Sequence, residues 1–312
     1  MSLFPQYKIS DDDCKSISEM DIEILSNGIV LFKNAIDVNE DRLLSWLDEN
    51  VSPSNCGLEW REEGDEQWAE DWEGNRHPIQ KLLEQPFRLG HEQEKMPVQD
   101  DTPADIKEFF FNCEKIIYHG LMRYIHLYPM ILNTIWWKNR GHILRYTEGG
   151  QLGHHNDNDT NFRVVDGLRY PTSRPQAIYQ VVANIIYLND NFNGGEMHFP
   201  YADVTYKPVV GDMIYFPQNY TGTHGVAPVT SGKRYVYLSN FGQGEDDIVQ
   251  IHEPDDETAN WVSPTYLPWV FQDYERYFNS SHSSRVPPGE LNPVEQERPL
   301  EGEPTGVFTS YE

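Results

Sequence analysis

The chain has 312 residues and sets 24 Lys+Arg against 50 Asp+Glu, a formal charge of -26 whose field repels phosphate backbones and anionic membranes, so nucleic acid is excluded as an expected partner. Cys14, Cys56 and Cys113 are odd in number and widely separated, which fits neither a disulfide framework nor a zinc knuckle. No apolar run approaches the roughly 20 residues of a membrane span, and the N-terminal residues lack a basic start and an apolar stretch, so the expectation is a reduced, soluble, cytoplasmic protein with no membrane partner.

No internal repeat is visible, and the chain reads as helices first and strands later. After an N-terminal arm, residues 1–20, Gly28 to Phe32 has the form of a short buried strand. Asp37 then reads as a helix N-cap with Glu40 three residues on, ahead of Leu43, Leu44 and Leu47. Residues 52–103 mix Pro, Gly and acids with Trp60, Trp68, Trp72 and Phe87, which suits an ordered loop or lid over a substrate; the plainer reading of the tryptophans is packing. From Ala104 to Tyr124, Ile106, Phe109, Phe110, Cys113, Ile116, Ile117 and Leu121 recur at helical spacing. From about residue 130 short β-rich runs follow: His142 to Tyr146, Tyr179 to Leu188, Glu196 to Phe199, Met213 to Phe216 and Arg234 to Phe241. The class is α+β, mainly β, a sandwich or barrel with helical support. The expected divisions are support and lid at 21–135, a catalytic core at 136–245, an extension packing on it at 246–280, and a Pro- and acid-rich tail at 281–312.

The chemistry concentrates at Gly153-His154-His155-Asn156-Asp157 and, further on, Gly222-Thr223-His224. In an extended segment His155 and Asp157 project to one side, so both can reach one ion, while His154 projects to the other. Two imidazoles and a carboxylate on one side of a metal leave the opposite positions open, the arrangement of non-haem Fe(II) oxygenases. A His-x-Asp alone is weak evidence in a chain with 11 histidines.

The surrounding blocks make it specific. Leu144-Arg145-Tyr146-Thr147-Glu148-Gly149, then Ile186-Tyr187-Leu188-Asn189-Asp190 leading to Gly194-Gly195-Glu196, then Lys207-Pro208-Val209-Val210-Gly211-Asp212, then His224 through Arg234-Tyr235 occur in that order. With these blocks the sequence resembles the prolyl-4-hydroxylase-like branch of the 2-oxoglutarate/Fe(II) dioxygenases over roughly residues 140–242. The resemblance implies a double-stranded β-helix (jelly-roll, cupin-like) core, iron held by His155, Asp157 and His224, and Arg234 as anchor of the distal 2-oxoglutarate carboxylate. A buried guanidinium can grip that group bidentately. Lys233 is the rival, but strand alternation puts Arg234 on a face with Val236, Leu238 and Asn240 and turns Lys233 away. Tyr146 and Tyr187 match tyrosines that line the co-substrate pocket, with core packing as the bland alternative. Asn184 and Asn240 stay outside the assignment, and Glu196 and His198 read as structural.

The implied reaction oxidatively decarboxylates 2-oxoglutarate to succinate and CO2 with O2 and hydroxylates a substrate C–H bond, with ascorbate as a possible reductant. Related halogenases carry a small residue in place of Asp157, so the carboxylate points to hydroxylation. By resemblance the substrate is a prolyl residue in a peptide or protein; a free amino acid or other small molecule is the alternative. The arginines of residues 158–178 are open between substrate contact and surface pairing. A non-catalytic jelly-roll binding protein is the reading from another class. Oligomeric state is not specified by the sequence.

Overall fold

The computed structural model describes residues 8–50, 59–63, 66–70, 76–78, 87–88, 102–135, 137–138, 141–158, 162–165, 168–171, 179–243, 265–267 and 269–280. Its centre is a pair of facing antiparallel sheets. In the major sheet the strands run Asp21–Ser26, Ile29–Lys33, Met213–Pro217, Gln180–Tyr187 and Arg234–Gly242. The far edge of Arg234–Gly242 then pairs with both His142–Tyr146 and Trp137–Lys138. The minor sheet runs Val204–Tyr206, Met197–Phe199, His224–Val226, Leu152–His155. From residue 142 onward the chain passes back and forth between the two sheets, which is the winding of a jelly roll.

Alternation along the major strands divides its side chains between two apolar compartments. Val182, Ile186, Met213, Tyr215, Tyr235 and Tyr237 face the helices. Ala183, Ile185, Tyr187, Ile214, Phe216 and Val236 face the minor sheet and meet Met197, Phe199, Tyr206 and Val226. The helix Ala104–Leu127 covers the outer compartment with Phe110, Cys113, Ile117, Leu121 and Tyr124, the helical period read from the sequence. A buried Lys138–Glu114 pair at 2.7 Å, with Tyr237 donating to the other Glu114 oxygen at 2.7 Å, ties that helix to the sheet. Among the described residues no helix is long and apolar enough to cross a membrane.

Several local expectations differ. The arm contains a helix, Asp11–Glu19, started by a Ser10–Asp13 capping box, and its Ile17 joins the outer core. The order of helices first and strands later does not hold, because an antiparallel hairpin of Asp21–Ser26 and Ile29–Lys33 comes early and extends the major sheet. The next helix begins at Glu40, and Asn39, not Asp37, sits at its start, its Oδ1 accepting from the Arg42 N–H at 3.4 Å. Within 52–103 short strands form, Glu59–Glu63, Glu66–Glu70 and Arg76–Pro78 in one sheet and Phe87–Arg88 on the major sheet. The rest of the segment expected as a lid, most of residues 158–178, all of 246–264, and the tail 281–312 lie outside the described residues. The helix Val270–Ser280 packs Val270, Tyr274 and Tyr277 into the outer core.

Candidate active site

Pairing of the minor-sheet strands Leu152–His155 and His224–Val226 makes His224 the cross-strand partner of His155 and sets their rings 4.5 Å apart. Asp157, two residues beyond His155, folds back so that Oδ1 lies 3.2 Å from Nε2 of His155 and 3.9 Å from Nε2 of His224. One ligand atom from each of the three lies within 4.8 Å of the others, and this is the only such group found among the described residues.

Both imidazoles are oriented by the same device. Nδ1 of His155 sits 2.9 Å from the Gly153 carbonyl, and Nδ1 of His224 sits 3.0 Å from the Gly222 carbonyl. A carbonyl only accepts, so Nδ1 carries the proton in each ring and Nε2 is left with its lone pair toward the cluster. Gly222 permits this close turn, because a Cβ there would lie 1.7 Å from the Pro217 carbonyl oxygen. Burial lowers the His224 pKa, against the raising pull of Asp157, which keeps its ring neutral. Burial pushes the Asp157 carboxyl up, but His224, His155 and the hydrogen bond from Gln218 outweigh it and hold it down at about 2. With both rings neutral and protonated on Nδ1, two Nε2 lone pairs and the Asp157 carboxylate converge on one point. That donor set fits a divalent cation, and nitrogen and carboxylate together suit iron. His224 is buried against Phe216, rings 4.6 Å apart, whereas His155 and Asp157 are half-exposed, so the cluster opens to one side.

Arg234 lies on the inner face of the major sheet, 1% exposed, opposite Tyr146 on the neighbouring strand. Its guanidinium carbon stands 4.8 Å from the Tyr146 ring centre and 5.4 Å from that of Tyr187. Its Nε and Nη2 are buried with no hydrogen-bond partner among the described residues. A buried guanidinium with two unsatisfied nitrogens is costly, and a carboxylate would remove that cost, so this edge of Arg234 fits a carboxylate group. The Arg234 charge also lowers the His224 pKa, the least of the influences on that ring. Burial holds the Tyr187 phenol above its usual pKa despite the lowering effect of Arg234, so it stays a hydrogen-bond donor. Gly195 gives the arginine its room: at φ +69 it adopts a left-handed conformation, and a Cβ there would lie 3.0 Å from Cδ of Arg234.

The remaining candidates are held elsewhere. Lys233 bonds Asp48 at 2.8 Å on the outside. His154 is exposed, Glu196 pairs with Lys207 at 3.5 Å, and His198 meets the Thr205 hydroxyl at 3.0 Å. Asn184 bonds Ser239. Asn240 lies beside Gln218, a residue that sequence reasoning passed over although its Nε2 reaches Asp157 at 3.1 Å.

Residues 141–242 match the family model of the 2OG-Fe(II) oxygenase superfamily. Prolyl 3-hydroxylase 2 of Homo sapiens is 28% identical over 123 residues, 36% of this chain and 17% of that protein. Its Mus musculus counterpart is 27% identical over 121 residues, 35% of this chain and 17% of that protein, so the chain spans about a sixth of these relatives' length. Among solved structures, the viral collagen prolyl hydroxylase vCPH of Paramecium Bursaria Chlorella virus-1, in its 2OG complex, shares 15% identity over 70% of this chain and 97% of that one, with a TM-score of 0.40. The Trichoplax adhaerens prolyl hydroxylase in complex with a hypoxia inducible factor oxygen degradation domain peptide shares 13% identity over 74% and 91%, with a TM-score of 0.44.

Proposed function

From a chain that is a member of the 2OG-Fe(II) oxygenase superfamily through its residues 141–242, with an HxD…H facial triad, we propose a hydroxylase of prolyl residues in a peptide or protein. It consumes 2-oxoglutarate and O2 and yields succinate and CO2. The observation that carries the co-substrate half of this reading is the buried, unpaired edge of Arg234 between Tyr146 and Tyr187. The prolyl half is supported by the relative named as a prolyl 3-hydroxylase.

In this reading His155, Asp157 and His224 hold the metal and Arg234 receives the far carboxylate. When bound, the iron supplies the activation of O2 that drives decarboxylation and C–H hydroxylation. The protein's own residues position and shield. The Gly153 and Gly222 carbonyls keep both Nε2 lone pairs aimed at one point. Phe199 and Phe216 pack against His224 and exclude water from its inner side. Tyr187 and Tyr146 keep the guanidinium flat and dry, where a charge-assisted pair is stronger than in water.

The test incubates the Fe(II)-loaded protein with 2-oxoglutarate, O2, ascorbate and a panel of proline-containing peptides and free amino acids. Succinate release matched by a peptide gaining the mass of one oxygen on proline is the expected result. Stoichiometric oxygen incorporation into a free amino acid, with peptides untouched, would replace the prolyl reading.

A further inference from the structure

Asp157 presents Oδ1 to the two imidazoles, which leaves Oδ2 to be accounted for. Gln218 holds it. This residue follows the strand Met213–Pro217, is 0% exposed, and donates from Nε2 to Oδ2 of Asp157 at 3.1 Å. The same nitrogen lies 2.8 Å from Oδ1 of Asn240 and 3.2 Å from Oε1 of Gln180. Its own Oε1 is buried without a partner among the described residues.

The orientation of a side-chain amide is read from its neighbours. Here the ionised Asp157 carboxylate, which only accepts, lies at one end, so that end is the NH2. Turning the amide over would set a lone pair against the Asp157 carboxylate. The fold thus leaves one buried acceptor unpaired and in return aims an N–H at Asp157. The main chain reinforces this. The Gln218 N–H donates to the Val181 carbonyl at 3.0 Å, and the Gln218 carbonyl accepts from the Asn158 N–H at 3.2 Å. Gln218 is therefore fixed to the strand Gln180–Tyr187 and grips residues 157 and 158 at two points.

We infer that Gln218 is a positioning residue that keeps Asp157 a single-oxygen ligand. With Oδ2 engaged by the amide, the carboxylate offers a metal only Oδ1. A two-oxygen carboxylate would take up a further position on a metal held by His155, Asp157 and His224, one that the co-substrate or O2 would otherwise use. This inference rests on the metal reading of the triad.

The test is an anaerobic titration with Co(II), followed by visible absorption and calorimetry, of the unmodified protein, Gln218→Met and Gln218→Glu, with circular dichroism to establish that each variant folds. Both variants lack the amide donor and keep its length. The expected result is Co(II) affinity about 10-fold to 100-fold weaker, with a changed cobalt spectrum, in a folded protein. A folded variant with unchanged affinity and spectrum overturns the inference. A crystal structure of the Co(II)-loaded unmodified protein tests it without any variant: Asp157 bound through Oδ1 alone is expected, and both oxygens on the metal overturn it. Failure of the unmodified protein to bind Co(II) removes the metal reading itself and is distinct from either result.

Discussion

His155 and His224 each turn Nδ1 toward the carbonyl two residues earlier, so a minimal backbone motif fixes the ring, the tautomer and the direction of the free lone pair at once. Replacing either by alanine is expected to abolish 2-oxoglutarate turnover and metal binding, whereas His154→Ala, an exposed change, retains both; succinate assays and metal titration read this directly. Arg234→Ala is expected to weaken 2-oxoglutarate binding by roughly 100-fold, about 3 kcal/mol for a charge-assisted contact, while Lys233→Ala changes it little because its ammonium is committed to Asp48. The reverse order would show that the anchor is misassigned. The clustering of His155, Asp157 and His224 and the inward burial of Arg234 were legible because these residue types are chemically marked and strand alternation turns His155 and Arg234 inward. Gln218 was not, since a glutamine after an apolar strand carries no such mark and its partners Gln180, Asn240 and Asp157 are brought together only by the folded sheets.

At the scale of elements, the turn through Gly194 and Gly195 shapes the pocket as much as any strand. Gly195→Ala forces a side chain onto a positive φ and against Cδ of Arg234, so 2-oxoglutarate affinity should fall, and stability with it by about 1 kcal/mol; thermal melts and KM for 2-oxoglutarate separate the two effects. The helix Ala104–Leu127 carries a second titratable feature, His119, 2% exposed and 3.5 Å from Asp13 of the N-terminal helix. Burial lowers its pKa from 6.5 to about 4, against the raising pull of Asp13. The unfolded chain therefore binds a proton before the folded one does. The stability from this group is complete above about pH 6.5 and is lost as pH falls through 4, by about 3 kcal/mol. Urea unfolding of the unmodified protein and His119→Met should diverge in that window and run parallel above it. The long helix and the later strands were readable from period and turn residues. The helix Asp11–Glu19 was not, because three successive aspartates disguise a first turn that the Ser10–Asp13 box and the macrodipole favour. The early hairpin was half read: Ile29, Val30, Leu31 and Phe32 are buried and mark their strand, whereas the edge strand Asp21–Ser26 alternates Ile22 and Ile24 with acids and buries none of its residues fully, so its signal is weaker.

On the proposed function, the formal charge of -26 over the whole molecule would work against the approach of dianionic 2-oxoglutarate, and the buried Arg234 would supply the local attraction that the surface does not. Raising ionic strength from about 0.01 M to 0.15 M shortens the Debye length from about 30 Å to about 8 Å. KM for 2-oxoglutarate should therefore fall with added salt, while kcat/KM for a cationic peptide substrate should fall too, since its attraction to the acidic surface is screened; steady-state kinetics at the two salt levels check both signs. The facing sheets give the site its two halves, the minor sheet carrying the two histidines and the major sheet the arginine. Whether those halves act on one co-substrate is decided most directly by anaerobic titration of the Fe(II)-loaded protein with 2-oxoglutarate. A weak visible charge-transfer band that saturates in the unmodified protein and needs far more 2-oxoglutarate in Arg234→Ala is the expected result. No band in a fully metallated protein, or a band indifferent to Arg234, would contradict a site in which His155, Asp157 and His224 hold iron while Arg234 holds the far end of the co-substrate.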